Sequence, residues 1–310
     1  MPQLLGYFLM NSGETLILSI DAMGGDHAPE SILNGLSLVA AGATNLKFLI
    51  HGDEALIKPF LDADSRLKAC SEIQHTDKSI AMDAKPSQAV RQGKGSSMWN
   101  TLSAVKTGEA HIAVSAGNTG ALMAMAKLVL RTVEGVHRPA IAASWPTPTG
   151  SSVVLDVGAN VEADAEQLVE FAIMGEAYAR AVHGKTSPSV GLLNIGSEEL
   201  KGIDSVRLAS DMLRQQQVGL NYIGFVEGND ISLGKADVVV TDGYTGNIAL
   251  KTAEGTARLV SGFVKEALTE NMISKIGALL ASSGLKKLKD KMDPRSVNGG
   301  VFLGLNGVVL

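Results

Sequence analysis

The sequence predicts an α/β protein, a three-layer α/β/α arrangement around a mostly parallel, doubly wound sheet. Short apolar runs recur along its 310 residues with longer helical patterns between them. The residues that follow those runs repeat one vocabulary of Gly, Asn and Asp. Taken in order, the runs are Leu16 to Ile20, Leu46 to Ile50, Ile112 to Val114, Val153 to Leu155, Val190 to Leu193, Tyr222 to Val226 and Val238 to Val240. Runs this short and this apolar suit strands buried on both faces. Ala121 to Val133, Ala163 to Val182 and Ser205 to Gln217 have the helical spacing that crossover connections need. The polar stretch from Ser71 to Ser97 is expected to be loop-rich. With no repeat and no Pro/Ser-rich linker, the expected division is a tail over 1–14 and a single catalytic domain over 15–310. The length alone fits two intimately joined lobes equally well.

Composition narrows the function classes. A formal charge of −5 supplies no basic field for nucleic acid, so a small molecule or a protein is the expected partner. The single cysteine, Cys70, excludes an internal disulfide and a Cys-clustered zinc site, and its expected role is packing. The apolar run Leu4 to Met10 has no Lys or Arg before it and is read as a tail. No run of about 18 apolar residues exists, so no span is expected, and the cytoplasm is the expected compartment.

In open parallel sheets ligands sit outside the carboxyl ends of the strands, which puts the weight on the loops there. They read Asp21-Ala22-Met23-Gly24-Gly25-Asp26-His27, Ser115-Ala116-Gly117-Asn118-Thr119-Gly120, Asp156-Val157-Gly158-Ala159-Asn160, Asn194-Ile195-Gly196-Ser197-Glu198 and Thr241-Asp242-Gly243-Tyr244-Thr245-Gly246-Asn247. Glycines let backbone N–H groups approach a ligand, and a helix N-terminus favours an anion. Ser115, Gly117, Asn118, Thr119 and Gly120 are the expected phosphate cradle, because a strongly helical stretch follows them. The competing reading is an ordinary turn capped by Asn118 or Thr119.

Asp21, Asp26, Asp156, Glu198 and Asp242 could bind a divalent cation, act as general bases or orient basic and amide groups around the pocket; the last is the expected role, no tight acidic cluster argues for a metal, and no cofactor is expected. Gly24, Gly25, His27, Thr245 and Gly246 complete the pocket set, with His27 read as a hydrogen-bonded turn residue. Positive charge to offset phosphate comes from Lys94, Arg138, Lys185 or Lys201, each beside Gly or Pro. No P-loop, dinucleotide fingerprint or serine elbow appears.

Near the C-terminus an amphipathic, locally basic segment interleaves Ile276, Leu279, Leu280, Leu285 and Leu288 with Lys275, Lys286, Lys287 and Lys289. It predicts two short helices joined by a Ser282-Ser283-Gly284 turn, a docking surface for anionic lipid or an acidic protein. The alternative is a dimer-packing or core helix pair with a solvated lysine face.

From Leu18 to Leu310 these loops, with Lys94-Gly95-Ser96-Ser97-Met98 and Leu303-Gly304-Leu305-Asn306-Gly307, resemble the bacterial acyl-acyl carrier protein:phosphate acyltransferases, the PlsX family. Each motif alone is weak; their order is specific. The resemblance implies an isocitrate/isopropylmalate dehydrogenase-like fold, a homodimer, and transfer of an acyl group from acyl carrier protein to inorganic phosphate. It also implies peripheral contact with the inner face of the membrane through Ile276 to Met292. The acyl phosphate would then feed a glycerol-phosphate acyltransferase in phospholipid synthesis. Tyr244 stands where the family more often has Phe, and the chain ends at Val308-Val309-Leu310 where relatives continue, which reads as a shortened chain.

Direct attack by phosphate on the thioester is the simplest chemistry. It assigns Ser115, Asn118, Thr119 and Gly120 to phosphate, Asn160, Asn194 and Asn247 to the thioester carbonyl, and Lys94 or Lys201 to charge balance. The rival readings are a phosphotransacetylase using a CoA thioester, a nicotinamide-dependent dehydrogenase, which the missing metal-carboxylate set disfavours, and a non-catalytic scaffold at the membrane edge.

Overall fold

The structure, a computed structural model, describes residues 15–43, 45–215, 219–292 and 299–310, without the side chains of 288–292. The tail expected at 1–14 lies outside the described residues. Contacts divide the chain into two compact units, Met1–Pro139 with Val301–Leu310, and Ala140–Gly300.

The first unit opens with β1 (Leu16–Asp21), α1 (Glu30–Gly42), β2 (Leu46–Gly52), α2 (Glu54–Ala63), α3 (Ser65–Ala69) and β3 (Ser71–His75). It continues with α4 (Pro86–Gln92), α5 (Ser97–Thr107), β4 (Ile112–Ser115) and α6 (Thr119–Leu130). The strands run parallel in the order β3-β2-β1-β4. Alternation along each strand sends apolar side chains to both faces. Leu16, Leu18 and Ile20 pack with Leu33 and Leu36 of α1, Ile57 of α2 and Leu67 of α3. Ile17 and Leu49 point the other way, onto Ala104 and Val105 of α5. Each large aliphatic buried this way contributes roughly 1.5–3 kcal/mol.

Cys70 packs against the first of these clusters, its thiol donating to the Arg66 carbonyl at 3.3 Å, and burial pushes the thiol's pKa up. This is the packing role its sequence context predicts.

The second unit contains β5 (Ala140–Thr147), β6 (Gly150–Leu155), α7 (Ala165–His183), β7 (Ser189–Leu193), α8 (Asp204–Gln215) and β8 (Asn221–Val226). It adds α9 (Gly228–Leu233), β9 (Val238–Val240), α10 (Gly243–Thr269), α11 (Met272–Leu280) and α12 (Ser282–Met292). Its strand order is β5-β6-β9-β7-β8, parallel except for the β5/β6 hairpin. The chain then returns to the first unit as β10 (Val301–Leu303) and β11 (Val308–Val309), with β11 parallel to β4 and antiparallel to β10. The mostly parallel sheet with flanking helices is the α/β class the sequence predicts.

Three local expectations need correction. Ser71 to Ser97 is not simply loop, because it holds β3 and α4. β3 is an edge strand of sequence SEIQH, half exposed, so no apolar run marks it. The helix expected over Ala121 to Val133 starts earlier, at Thr119, under the Asn118 cap, and stops at Leu130. Near the C-terminus the break falls at Ala281, whose N–H donates to the Gly277 carbonyl, and Ser282-Ser283-Gly284 form the first turn of α12. Gln217, at the end of the third expected helix, lies outside the described residues.

The buried face under α5 carries one polar pair, His51 Nε2 and Ser19 Oγ, 2.9 Å apart. Burial pushes the His51 imidazole down from 6.5 to about 4. Below pH 6.5 the unfolded chain takes up a proton that the folded chain refuses until about pH 4. Stability should therefore fall by up to about 3 kcal/mol across that window. Urea denaturation at pH 7 and pH 5 should show a larger loss for the wild type than for His51→Gln; equal losses would remove His51 as the source.

Candidate functional site

In the second unit, β6 ends in a loop held by one side chain. Asp156 is fully buried, and Oδ1 accepts the N–H groups of Ile141 at 3.0 Å, Gly158 at 3.1 Å and Ala159 at 2.9 Å. Its Oδ2 accepts the backbone N–H of Asn160 at 2.7 Å and the Asn160 side-chain amide at 2.9 Å. The N-terminus of α10 packs directly on this loop. A Cβ at Gly246 would lie 1.9 Å from the Asp156 carbonyl oxygen, and one at Gly243 would lie 2.2 Å from the Asn160 carbonyl oxygen. Only glycine permits that approach.

Asp242 caps α10, accepting the Thr245 N–H at 2.7 Å. One turn on, the Asn247 amide lies against Gly158, its Nδ2 2.9 Å from where a Cβ would stand on that residue, whose φ of +140° already favours glycine. Among the described residues the Asn247 side chain has no hydrogen-bond partner, whereas the other two expected carbonyl donors are engaged. Asn160 donates to Asp156, and Asn194 donates to the Lys201 carbonyl at 3.0 Å while accepting the Ile195 N–H at 2.9 Å.

Asn194 thus closes the loop after β7. Gly202, at φ +95°, leaves the space this amide fills. Within the loop Lys201 Nζ pairs with Glu198 at 2.8 Å, both exposed. The pair's hydrogen bond raises the lysine pKa and lowers the glutamate pKa, so both stay charged near neutrality.

Asn194 and Gly202, with Thr245 and Ile248 on either side of Asn247, line a cavity of about 1190 Å³ that runs along α10. Ile203, Val206, Ile231 and Trp145 contribute to its walls. Sequence reasoning misses this cavity, since its lining comes from five separated elements. The one available signal is the repeated Ala and Thr on α10, at Ala249, Thr252, Ala253, Thr256 and Ala257.

In the first unit the loops after β1 and β4 are packed backbone to backbone. A Cβ at Gly24 would lie 2.7 Å from the Gly117 nitrogen, and Gly25 has φ +107°. Ser115 Oγ donates to Asp21 Oδ2 at 2.7 Å and accepts the Gly117 N–H at 3.1 Å. Burial pushes the Asp21 carboxyl up, opposed by hydrogen bonds such as that from Ser115. Asn118 caps α6 through the Ala121 N–H at 2.8 Å, and its amide donates to the Met82 carbonyl at 2.6 Å. The turn-capping reading therefore holds for the Asn118 side chain. The donors left for an anion are the N–H groups of Thr119 and Gly120 at the start of α6 and the hydroxyl of exposed Thr119.

Asp26, His27 and Lys94 are exposed in the same unit, and the His27 carbonyl accepts the Ser31 N–H as a turn residue does. Arg138 is exposed too. Lys185 is placed elsewhere, paired with Asp237 at 2.9 Å beside Ser189, at the amino ends of β7 and β9. Lys275, Ile276, Leu279, Leu280, Lys286 and Lys287 are exposed on α11 and α12, and Leu285 is half-buried. The side chains of Leu288 and Lys289 lie outside the described residues.

Residues 16–310 match the family described as "Fatty acid synthesis protein". The phosphate acyltransferase of Maricaulis maris is 57% identical over 296 residues, covering 94% of this chain and 84% of that protein. Its namesake from Caulobacter vibrioides is 55% identical over 297 residues, covering 96% and 82%. Among solved structures, a phosphotransacetylase from Streptococcus pyogenes aligns with a TM-score of 0.60 at 17% identity, over 95% of this chain and 87% of that one. The EutD phosphotransacetylase from Staphylococcus aureus gives 0.58 at 16%, over 96% and 88%. At such identity these structures speak to the fold alone. The chain belongs to the fatty acid synthesis protein family, the family its loops resemble.

The docking of α10 on the Asp156 loop makes a paired prediction. Gly246→Ala should destabilise by about 1–3 kcal/mol, since its Cβ meets backbone. Gly255→Ala on the same helix, with nothing within 4 Å, should be neutral or stabilise by up to about 1 kcal/mol. Urea titrations of both variants check this, and equal effects would contradict the packing described.

Proposed function

We propose that this member of the family transfers a fatty acyl group from the thioester of acyl carrier protein to inorganic phosphate, releasing acyl phosphate and free carrier. The observation that carries the reading is the match to proteins named phosphate acyltransferases, at 55–57% identity over almost the whole chain. The second unit's strand ends supply chemistry that fits it.

A phosphate oxygen attacks the carbonyl carbon of the thioester. A C–O bond forms, the carbonyl oxygen becomes an oxyanion, and collapse breaks the C–S bond so that the thiolate leaves and takes a proton. The nucleophile is charged and the leaving group good, so the protein's tasks are positioning and stabilising negative charge. We assign the carbonyl oxygen to Asn247, whose exposed amide lies beside Gly158 and has no hydrogen-bond partner among the described residues. Charge balance is assigned to the exposed Lys94, in the same unit as Thr119 and Gly120, since Lys201 already balances Glu198. Asn160 and Asn194 keep their neighbouring loops in shape and act as positioning residues. Phosphate recognition is assigned to the N–H groups of Thr119 and Gly120 with the Thr119 hydroxyl, where the helix cap is the neutral Asn118; the corresponding cap on α10 is the acidic Asp242, which repels an anion.

Among the described residues no helix is long and apolar enough to cross a membrane. We assign peripheral membrane contact to α11 and its surroundings, where Ile273, Leu279 and Leu280 are 84%, 73% and 83% exposed beside Lys275. The protein is proposed to act as a homodimer in the cytoplasm, at the inner face of the membrane. There the acyl phosphate, a reactive mixed anhydride, can pass to an acyltransferase acting on glycerol phosphate.

Palmitoyl-acyl carrier protein incubated with the protein and hydroxylamine should yield hydroxamate only when phosphate is present. A preference for acetyl-CoA would instead make the protein a short-chain phosphotransacylase. Asn247→Ala should lower kcat by roughly 10²–10³-fold, as loss of one oxyanion donor does. Because the side chain is exposed and unbonded, stability should stay within about 0.5 kcal/mol of wild type. Wild-type turnover in that variant would remove Asn247 from the mechanism.

A further inference from the structure

We propose that the acyl chain itself lies in the cavity along α10 and that Ala253 and Ala257 set the chain length the protein accepts. The inference rests on the acyl-transfer reading and goes beyond it, to substrate selection. The cavity has two ends of different character. Asn194, Thr241, Asp242 and Thr245 line it at the strand ends, Glu227 and Asn229 add polar groups from the start of α9, and along α10 it is lined by aliphatic, alanine and threonine side chains from Ile248 to Val260. A ligand that fills it is polar at one end and aliphatic along its length, as an acyl thioester is.

The lining follows from the sequence of α10. Residues spaced by three and four share one face of a helix, and on this face they are small. Ala249, Thr252, Ala253, Thr256 and Ala257 leave a trough where larger side chains would have filled the space. Trp145, 7% exposed, contributes to the wall, its ring fixed by the bond from Nε1–H to Ser232 Oγ at 3.2 Å. At about 1190 Å³ the space is somewhat larger than small-ligand pockets, which run to about 1,000 Å³.

Length agrees as well. From Ile248 to Val260 the helix rises roughly 18 Å at about 1.5 Å per residue. A fatty chain in one bilayer leaflet spans half of a hydrocarbon core about 30 Å thick. The trough therefore holds a chain of membrane length, with Ala253 part-way along it and Ala257 near its far end.

The test compares rates on octanoyl-, dodecanoyl- and hexadecanoyl-acyl carrier protein for wild type, Ala253→Phe, Ala257→Phe and Leu259→Phe, at an exposed position that does not line the cavity. Ala257→Phe should lose about tenfold or more on the longest chain and little on the shortest. Ala253→Phe should lose activity on the two longer chains, and Leu259→Phe should keep the wild-type profile. In a Trp99→Phe background, which leaves Trp145 as the sequence's one tryptophan, titration with hexadecanoate should perturb the fluorescence with Ala253 intact and not with Ala253→Phe, which reads occupancy without catalysis. Unchanged chain-length profiles in active variants would overturn the groove assignment while leaving acyl transfer standing. Loss of dimerisation in sedimentation, with no change in profile, would overturn it in favour of a second copy covering this face. A wild type inactive on every acyl carrier protein would instead overturn the acyl-transfer reading, and this inference with it.

Discussion

The N–H groups of Ile141, Gly158, Ala159 and Asn160 converge on the carboxyl group of Asp156, and if that side chain were removed Ile141 and Asn160 would be left as buried donors without it and Gly158 and Ala159 as half-buried ones. One unsatisfied buried group costs about 1–3 kcal/mol, so losing several together exceeds what a single loop can absorb. The constraint reaches beyond the loop. Its shape determines where the backbone of residues 156–160 lies, and α10 docks there through Gly243 and Gly246. The placement of Asn247, and the direction of the groove running down α10, both follow from that docking.

The asparagines at the strand ends divide into two kinds of work. Asn118, Asn160 and Asn194 satisfy backbone or carboxyl groups and give their loops a single conformation. Asn247 is exposed beside Gly158 and has no hydrogen-bond partner among the described residues, which leaves its donor available. Oriented donors that need no reorganisation are what stabilises a developing oxyanion. Rigid loops around one uncommitted amide are a physical means to that end. The acidic residues fit the same division: Asp156 and Asp242 hold backbone, Asp21 holds Ser115, and Glu198 pairs with Lys201.

The fold was legible where burial imposes an apolar run. Val238–Val240, buried on both faces, reads as a strand from three valines, and Leu16 to Ile20 reads as one from its apolar run, whose two faces enter two clusters. It was illegible where a strand needs little burial, as in edge strand β3, or is too short for a pattern, as in β11. The Gly-, Asn- and Asp-rich stretches were legible as strand-to-helix loops, because those residues turn the chain and cap the helix that follows. The work done by each amide was not: Asn118 and Asn247 look alike in sequence, and the carbonyls of residues 82 and 84, distant in the chain, make the Asn118 amide a clamp. The groove was hidden for a related reason, since Trp145, Val206 and Ala253 have no local relation in the chain.

Phosphate as the attacking group is the claim on which the functional account turns. Phosphate labelled with ¹⁸O at every oxygen, supplied with acyl-acyl carrier protein, tests it by mass spectrometry of the acyl phosphate. Direct attack predicts that the oxygen bridging carbon and phosphorus carries the label. An unlabelled bridging oxygen would mean that the thioester is first hydrolysed and the fatty acid then phosphorylated, which would contradict the account.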